Sequence, residues 1–531
     1  MTQRPLAPSR SPAWTAAEPP TAAEPPNAAE PLTAAEPLTA AERTFDPGGR
    51  SGPFTGRPGR PRGVSRRDWL RATSAGFGAA AGFHFFPSLA NKRLEKLAVA
   101  GIGIGGKGRS DVQGAAGAGM EVVALVDIVD AAKVSRLEGR LRAMGAMREA
   151  YPDAAFFADY RQMLADLGDR VDAVTVSTPD HHHFHASALA MMGGKHVYCQ
   201  KPLTHGIWEA RMLAGLAERT GVKTQMGNQA HANDPLRRVV ELVRGGAVGQ
   251  VSEIHAWTNR PIWPQGFRRP PEPEPVPEGI DWDQWVGPAP WHDYSSRIAP
   301  FAWRGWWDYG TGALGDMACH IMDMGFWAMD PGAPTSVVAR SRAATDLSPP
   351  ISSKITWDFA AGENTAADGF RFFWYDGYVR ARFDRDRWQL IKEDEAYNHP
   401  DEDVLEGRDF TRYGSVVIGS EGKLFFNRGG AMELVRDTPF DADAIPRSIP
   451  RARDQNNYRE WADAIEGKVD QGESHFGHSG PLTETVLLGV LAQRFPETPL
   501  RWDSENLRVV DRPELDAHIR RPYREGWQLD V

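Results

Sequence analysis

Only two cysteines, Cys199 and Cys319, occur in 531 residues. That excludes a small disulfide-built scaffold, whatever compartment the chain occupies. A surplus of basic residues is missing too. Lys and Arg number 61 against 70 Asp and Glu, for a formal charge of −9. With both signs mixed along the chain, neither a nucleic acid nor an anionic membrane surface is the expected partner. Beyond residue 90 no run approaches the ~18 uninterrupted apolar residues of a stable membrane span. Methionine is absent between Met1 and Met120, so a start nearer the first folded segment requires another codon, with Val64 the candidate. Tryptophan, by contrast, is abundant at 18, many of them between residues 257 and 327. Such rings line a sugar cleft or fill a core, and composition does not choose between the two.

Residues 1–64 predict no folded domain. Thr15–Arg43 repeats the unit Thr/Asn-Ala-Ala-Glu-Pro-Pro/Leu, too rich in proline and too poor in large apolar groups to build a core. Next come Ser65-Arg66-Arg67-Asp68-Trp69-Leu70-Arg71 and an apolar small-residue run, Ala72–Ala90, ending in Ser88-Leu89-Ala90. Residues 65–90 resemble a twin-arginine signal peptide, with Trp69 where that signal usually has Phe. The resemblance implies the twin-arginine export machinery as a partner and a periplasmic protein exported already folded. The plainer alternative is a basic tail ahead of a helix. About 440 residues then remain, enough for two domains of ordinary size.

The first of these domains opens on Leu97-Ala-Val-Ala-Gly-Ile-Gly103-Ile-Gly105-Gly106-Lys-Gly108, followed by Val122-Val-Ala-Leu-Val-Asp127. An apolar run entering a glycine cluster, then a second run ending in an acid, is what a strand–turn–helix–strand unit needs to hold a dinucleotide. The glycines let the backbone approach a pyrophosphate at a helix N-terminus, and the acid accepts from ribose hydroxyls. Asp127 follows Gly108 by 19 residues, near the expected ~20. Gly103/Gly105/Gly108 leaves a full strand ahead of the first glycine, although Gly101/Gly103/Gly106 also fits. Strands at Val171–Ser177, Lys195–Cys199 and Val222–Met226 alternate with helices at His185–Gly193 and Trp208–Thr220, which predicts a parallel sheet with ligands at its strand C-termini.

Two motifs fall at such ends: Ser177-Thr178-Pro179-Asp180-His181-His182-His183 and Tyr198-Cys-Gln200-Lys201-Pro-Leu203. Together with the glycine loop and Gly315-Asp316-Met-Ala-Cys-His320, their order and spacing resemble the Gfo/Idh/MocA family, which includes inositol dehydrogenases and glucose-fructose oxidoreductase. The resemblance runs from about Lys96 to the C-terminus. It implies an α/β fold: an N-terminal Rossmann domain with a doubly wound parallel sheet, residues 91–226, and a C-terminal α/β domain with an open, largely antiparallel sheet, residues 227–531. Substrate binds between the two, and homodimers or homotetramers form through the sheet face. One departure stands out, since the family's usual Glu-Lys-Pro reads Gln200-Lys201-Pro202 here.

Cofactor contacts are therefore expected from Gly103, Gly105, Gly106, Gly108 and Asp127. Thr178, Pro179, His181 and His183 join them from one strand end, Gln200 and Lys201 from the next, and Asn228 and Gln229 from just past the last. Asp127 favours NAD over NADP by repelling a 2′-phosphate, which Lys107 and Arg109 could offset in part. Strand candidates recur at Val251–Trp257, Ser336–Arg340, Ser352–Phe359, Phe370–Trp374, Gly414–Ile418 and Lys423–Phe426, and helices at Tyr458–Glu466 and Thr483–Phe495.

Asp316 and His320 stand four apart on one helical face. A neutral imidazole can take a proton from a substrate hydroxyl, a neighbouring carboxylate steadies the imidazolium, and Lys201 can stabilise charge on the oxygen. From spacing alone, a histidine on a Met-rich helix is more often a packed core residue; the family resemblance assigns Lys201, Asp316 and His320 to catalysis. Asp316, His320 and Asp323 could also share a metal, as could Asp180–His185, but the family is non-metallic and no metal is expected.

The expected activity is hydride transfer between a sugar or polyol-like hydroxyl and tightly bound NAD(P), because a dissociating cofactor would be lost outside the cytoplasm. An NAD-dependent glycoside hydrolase, oxidising its sugar transiently, would use the same residues and bind the same cofactor. A non-catalytic nucleotide-binding scaffold would tolerate loss of Lys201.

Overall fold

The computed structural model describes residues 96–129, 142–394, 396–408, 412–427 and 430–531; the leader and the twin-arginine segment lie outside them. The apolar run after Lys96 forms β1 (Ala98–Ile102), which enters the glycine turn and α1 (Gly106–Gly117). Then follow β2 (Glu121–Val126), α2 (Arg142–Ala150), β3 (Ala155–Phe157), α3 (Tyr160–Leu167), β4 (Ala173–Val176), α4 (Asp180–Met192), β5 (His196–Cys199), α5 (Ile207–Thr220) and β6 (Thr224–Met226). All strand pairs are parallel, in the order β3-β2-β1-β4-β5-β6. Helices cover both faces, so β4 reads as a continuous buried run rather than an alternating one. The order reverses between β1 and β4, and the crevice at their C-terminal ends is where such a sheet takes a ligand.

Two helices open several residues earlier than expected, that of Thr483–Phe495 starting at Phe476 with Pro481 inside it. The helix expected from His185 opens at Asp180, one residue past Pro179 at its N-cap, and so takes in His181, His182 and His183. Proline's fixed φ and an acid in the first turn both favour a helix start there.

After α6 (Asp234–Arg244) the chain builds a second sheet from β7 (Val251–Thr258). Helices α7 (Trp282–Val286), α8 (Gly312–Ile321) and α9 (Asp323–Met329) intervene before β8 (Ser336–Arg342), β9 (Ser352–Phe359) and β10 (Phe370–Gly377). A separate hairpin, β11 (Ala381–Asp384) and β12 (Gln389–Lys392), precedes α10 (Glu402–Leu405), β13 (Tyr413–Gly419), β14 (Gly422–Phe426) and β15 (Met432–Val435). The chain closes with α11 (Asn457–Ile465), α12 (Phe476–Arg494), β16 (Leu500–Asp503), β17 (Arg508–Val509) and α13 (Asp516–Ile519). The order β15-β14-β13-β7-β10-β9-β8-β16-β17 is antiparallel except for the β7/β10 pair.

The tryptophans settle into cores. Of those between residues 257 and 327, only Trp291 is exposed, at 50%. Phe267, Trp282, Trp285, Trp306, Tyr309 and Trp388 form a second core beside the sheets, capping the start of α4 through the His181 and His182 rings. Burying ~150–250 Å² per ring explains why this loop-rich segment is ordered. Helix α11 returns to the first domain, where Trp461 packs with Val99, Ala115 and Tyr198. Among the described residues no helix is long and apolar enough to cross a membrane.

Candidate active site

The glycine turn is dictated by close backbone approach. Gly103 has φ +76°, and a Cβ there would lie 2.8 Å from the Ser177 carbonyl and the Thr178 nitrogen. At Gly108 a Cβ would meet the Gly103 oxygen at 1.8 Å, so only glycine lets α1 start against the turn. Gly105 is the N-cap of α1 and Gly106 its first residue, with φ +46°. Asp127 ends β2 beside this turn: its carboxylate accepts from the Ile104 and Ile128 nitrogens, each at 2.9 Å. Burial raises its pKa, against the pull of those backbone hydrogen bonds. Across the crevice, the Thr178 hydroxyl is buried with no hydrogen-bond partner in the protein. A backbone cradle at a helix N-terminus, a carboxylate at the end of β2 and an unpaired hydroxyl opposite fit the pyrophosphate and ribose of a dinucleotide.

His181 and His183 are held otherwise. The His181 ring sits between the Trp285 and Tyr309 carbonyls, at 2.9 and 3.2 Å; His183 sits between Pro202 and Thr178, at 2.8 and 2.9 Å. Burial lowers both pKa values; a neutral ring carries one N–H, so each donates to one of its two carbonyls and only packs against the other.

Asp111, fully buried on α1, is the centre that sequence reading missed. It accepts from Ser177 at 2.7 Å, Gln200 at 3.1 Å and the Tyr458 hydroxyl at 2.6 Å, and it pairs with Lys107. Lys107 is thus already engaged. The same geometry explains Gln200: a glutamate would set a second carboxylate against Asp111, whereas the amide donates to it. Beyond the i,i+4 pair with Lys107, no sequence signal marks Asp111, because its other partners come from three separate segments. Gln229 donates to the Tyr198 hydroxyl at 3.2 Å, and Asn228 is buried between Asp323 and Ser474.

Lys201, just past β5, reaches into the second domain. Its Nζ donates to the Asp316 carboxylate at 2.7 Å and to the Asp316 carbonyl at 2.8 Å. The Arg304 Nε lies 3.1 Å from the same carboxylate, an ion pair without hydrogen-bond alignment, and the guanidinium stacks over Trp303 at 4.2 Å. Burial lowers the Lys201 pKa; Asp316 raises it and Arg304 lowers it further. Burial alone would raise the Asp316 carboxyl, but Lys201, Arg304 and Arg260 hold it well below the usual range, so it is ionised.

His320 follows one turn later, buried on the same helix beside a cavity of about 10 Å³ lined by Leu236, Met324, Tyr413, Ser415 and Phe426. That space accommodates about one water.

The structure does not bring Asp316, His320 and Asp323 onto one metal. The helix breaks at Met322, and Asp323 turns to His231 Nδ1 at 2.8 Å, His478 Nε2 at 2.9 Å and Asn228 at 2.9 Å. His231, Asp323 and His478 have ligand-like proximity. However, a metal on His231 Nδ1 would leave the proton on Nε2, which is buried without an acceptor. Donation from Nδ1 to Asp323 avoids that cost, and the two histidines bring the Asp323 carboxyl down to about 2 despite its burial.

The profile described as oxidoreductase family, NAD-binding Rossmann fold, matches residues 96–228; that of the oxidoreductase family C-terminal alpha/beta domain matches residues 235–371. An uncharacterized oxidoreductase of Rhizobium meliloti is 32% identical over 98 residues, 18% of this chain and 29% of that protein. A glycosyl hydrolase family 109 protein of Streptomyces niveus is 32% identical over 166 residues, 30% of this chain and 32% of that protein. The chain thus spans under a third of either relative. In fold it is similar to the WlbA dehydrogenase of Bordetella pertussis, solved with NADH and UDP-GlcNAcA (TM-score 0.51, 14% identity, 77% of this chain and 99% of that one).

Proposed function

From a chain that belongs to the Gfo/Idh/MocA oxidoreductase family by its two domain matches, we infer an NAD-dependent oxidoreductase whose substrate is a sugar or polyol hydroxyl oxidised at Lys201. One observation carries the reading: the Lys201 ammonium, at the ligand end of the parallel sheet, is 2.7 Å from the Asp316 carboxylate of the second domain. Gly103, Gly108, Thr178 and Asp127 would hold the dinucleotide, whose nicotinamide supplies the hydride acceptor when bound.

Lys201 has three N–H donors, and Asp316 takes two through its carboxylate and carbonyl. The third is left for a substrate oxygen, where the ammonium stabilises negative charge as the hydroxyl proton departs. Ionised Asp316 keeps the ammonium charged and aimed. His320 takes the hydroxyl proton. A second reading, redox-neutral glycoside hydrolysis, is favoured by the likeness to the Streptomyces niveus protein; it differs in releasing an aglycone without net use of cofactor.

The proposal includes export by the twin-arginine route with NAD tightly bound, since free dinucleotide is scarce outside the cytoplasm, and a homodimer or homotetramer that the solution mass tests. Mass spectrometry of the gently unfolded protein should release a dinucleotide without a 2′-phosphate. Single-turnover absorbance with sugars and glycosides should show that bound cofactor being reduced. A purified protein that carries no dinucleotide and reduces none on addition of any sugar refutes the reading. Export has its own test: Arg66→Lys with Arg67→Lys should hold the precursor in the cytoplasm, and normal export of that variant defeats the localisation.

A further inference from the structure

Five arginines, Arg268, Arg269, Arg342, Arg382 and Arg385, line one cavity of about 400 Å³, and no acidic residue is among its lining residues. On a chain of formal charge −9 such a concentration calls for a counter-charge. We propose that this cavity, between the loop 266–269 and the β11–β12 hairpin, is a binding site for a small ligand bearing a phosphate or carboxylate group.

The protein itself leaves most of this charge unanswered. Arg268 and Arg269 form no ion pair among the described residues. Arg382 and Arg385 reach carboxylates only at 4.0 Å, those of Asp384 and Glu272, the latter 91% exposed. Arg342 is pinned rather than neutralised: its guanidinium donates to the Ala381 and Tyr378 carbonyls at 2.7 and 2.8 Å, fastening β8 to the hairpin. Guanidinium forks match carboxylate and phosphate oxygens two at a time, which selects these groups over a neutral hydroxyl.

The floor is apolar, backed by buried aromatic rings. Phe267 is 1% exposed, with its ring 4.6 Å from Trp306, 5.2 Å from Trp388 and 5.7 Å from Phe383. Gly266, at φ +79°, turns the chain so that Phe267 goes inward while Arg268 and Arg269 stand at the surface; a Cβ at Gly266 would strike Ile351 at 2.7 Å. A small body with its anionic group among the arginines suits a cavity near the lower end of the ~300–1,000 Å³ range of small-molecule sites. Its concavity and the mixed charge elsewhere argue against a nucleic acid or a membrane surface. Arg268, Arg269 and Arg342 lie within the second family match, residues 235–371, whereas Arg382 and Arg385 on the hairpin lie beyond it. The cavity shares no lining residue with the Lys201–Asp316 group.

Calorimetric titration of the full chain with glucose 6-phosphate, glucuronate and glucose tests this. At least one of the two anions should bind, more weakly at high salt, and more weakly by about tenfold or more in each of two paired variants, R268Q/R269Q and R382Q/R385Q. The control pair R340Q/R501Q, at side chains 76% and 65% exposed on the same domain, should change affinity by less than about twofold. Binding of the phosphate ester alone, or of the uronate alone, supports the site and identifies its anion. If neither anion binds the parent, if glucose binds with the same arginine dependence, or if the control pair weakens binding as much as the cavity pairs, the proposal is overturned.

Discussion

Lys201→Ala is expected to lower single-turnover reduction of the bound cofactor by about 10²–10⁴, the usual cost of losing a group that acts on the transferred proton or the charge it leaves, while dinucleotide stays bound. The substitution removes both donors to Asp316 and leaves Arg304, 3.1 Å away, as its nearest cation. Because breaking a buried pair can by itself cost about 3–5 kcal/mol, the melting temperature must be measured beside the rate. A variant that melts lower but transfers hydride at the parent's rate would assign Lys201 to stability alone. His320→Ala carries the same kinetic expectation without disturbing that ion pair.

Gly108→Ala should act on binding rather than chemistry. Its Cβ would lie 1.8 Å from the Gly103 oxygen and 2.7 Å from the Gly103 carbonyl carbon, so α1 must withdraw from the turn that cradles the pyrophosphate. The expected result is protein purified without dinucleotide and destabilised by about 1–3 kcal/mol. Gly117→Ala is the matched control. A Cβ there meets nothing within 4 Å at the end of the same helix, so that variant should keep its dinucleotide and gain up to ~1 kcal/mol from helix propensity. Equal dinucleotide content in the two variants would sink the steric account of the turn.

Much of the architecture is legible along the chain. The glycine loop, the acid closing β2 and the β9 boundaries Ser352–Phe359 follow from periods and spacings that neighbouring residues impose on one another. Short elements are harder to read: β3 has three residues, and the β11–β12 hairpin is interrupted by charges, so neither presents a full period.

The site divides along the same line. Lys201 at a strand end and Asp316 with His320 four apart on a helix are local facts, readable before any fold is known. That Lys201 and Asp316, 115 residues apart, share a hydrogen bond is a tertiary fact, and so is the meeting of Asp111 with Tyr458 across 347 residues. The fate of the histidines in Asp180–His185 was likewise decided by what packs on them, since the carbonyls of Trp285 and Tyr309, 104 and 128 residues away, flank the His181 ring. Local spacing determines backbone conformation because it acts through bonds and i, i+4 contacts. Which polar group a buried side chain meets depends instead on the packing of distant segments, where each buried donor or acceptor must find whatever partner the fold brings within about 3 Å.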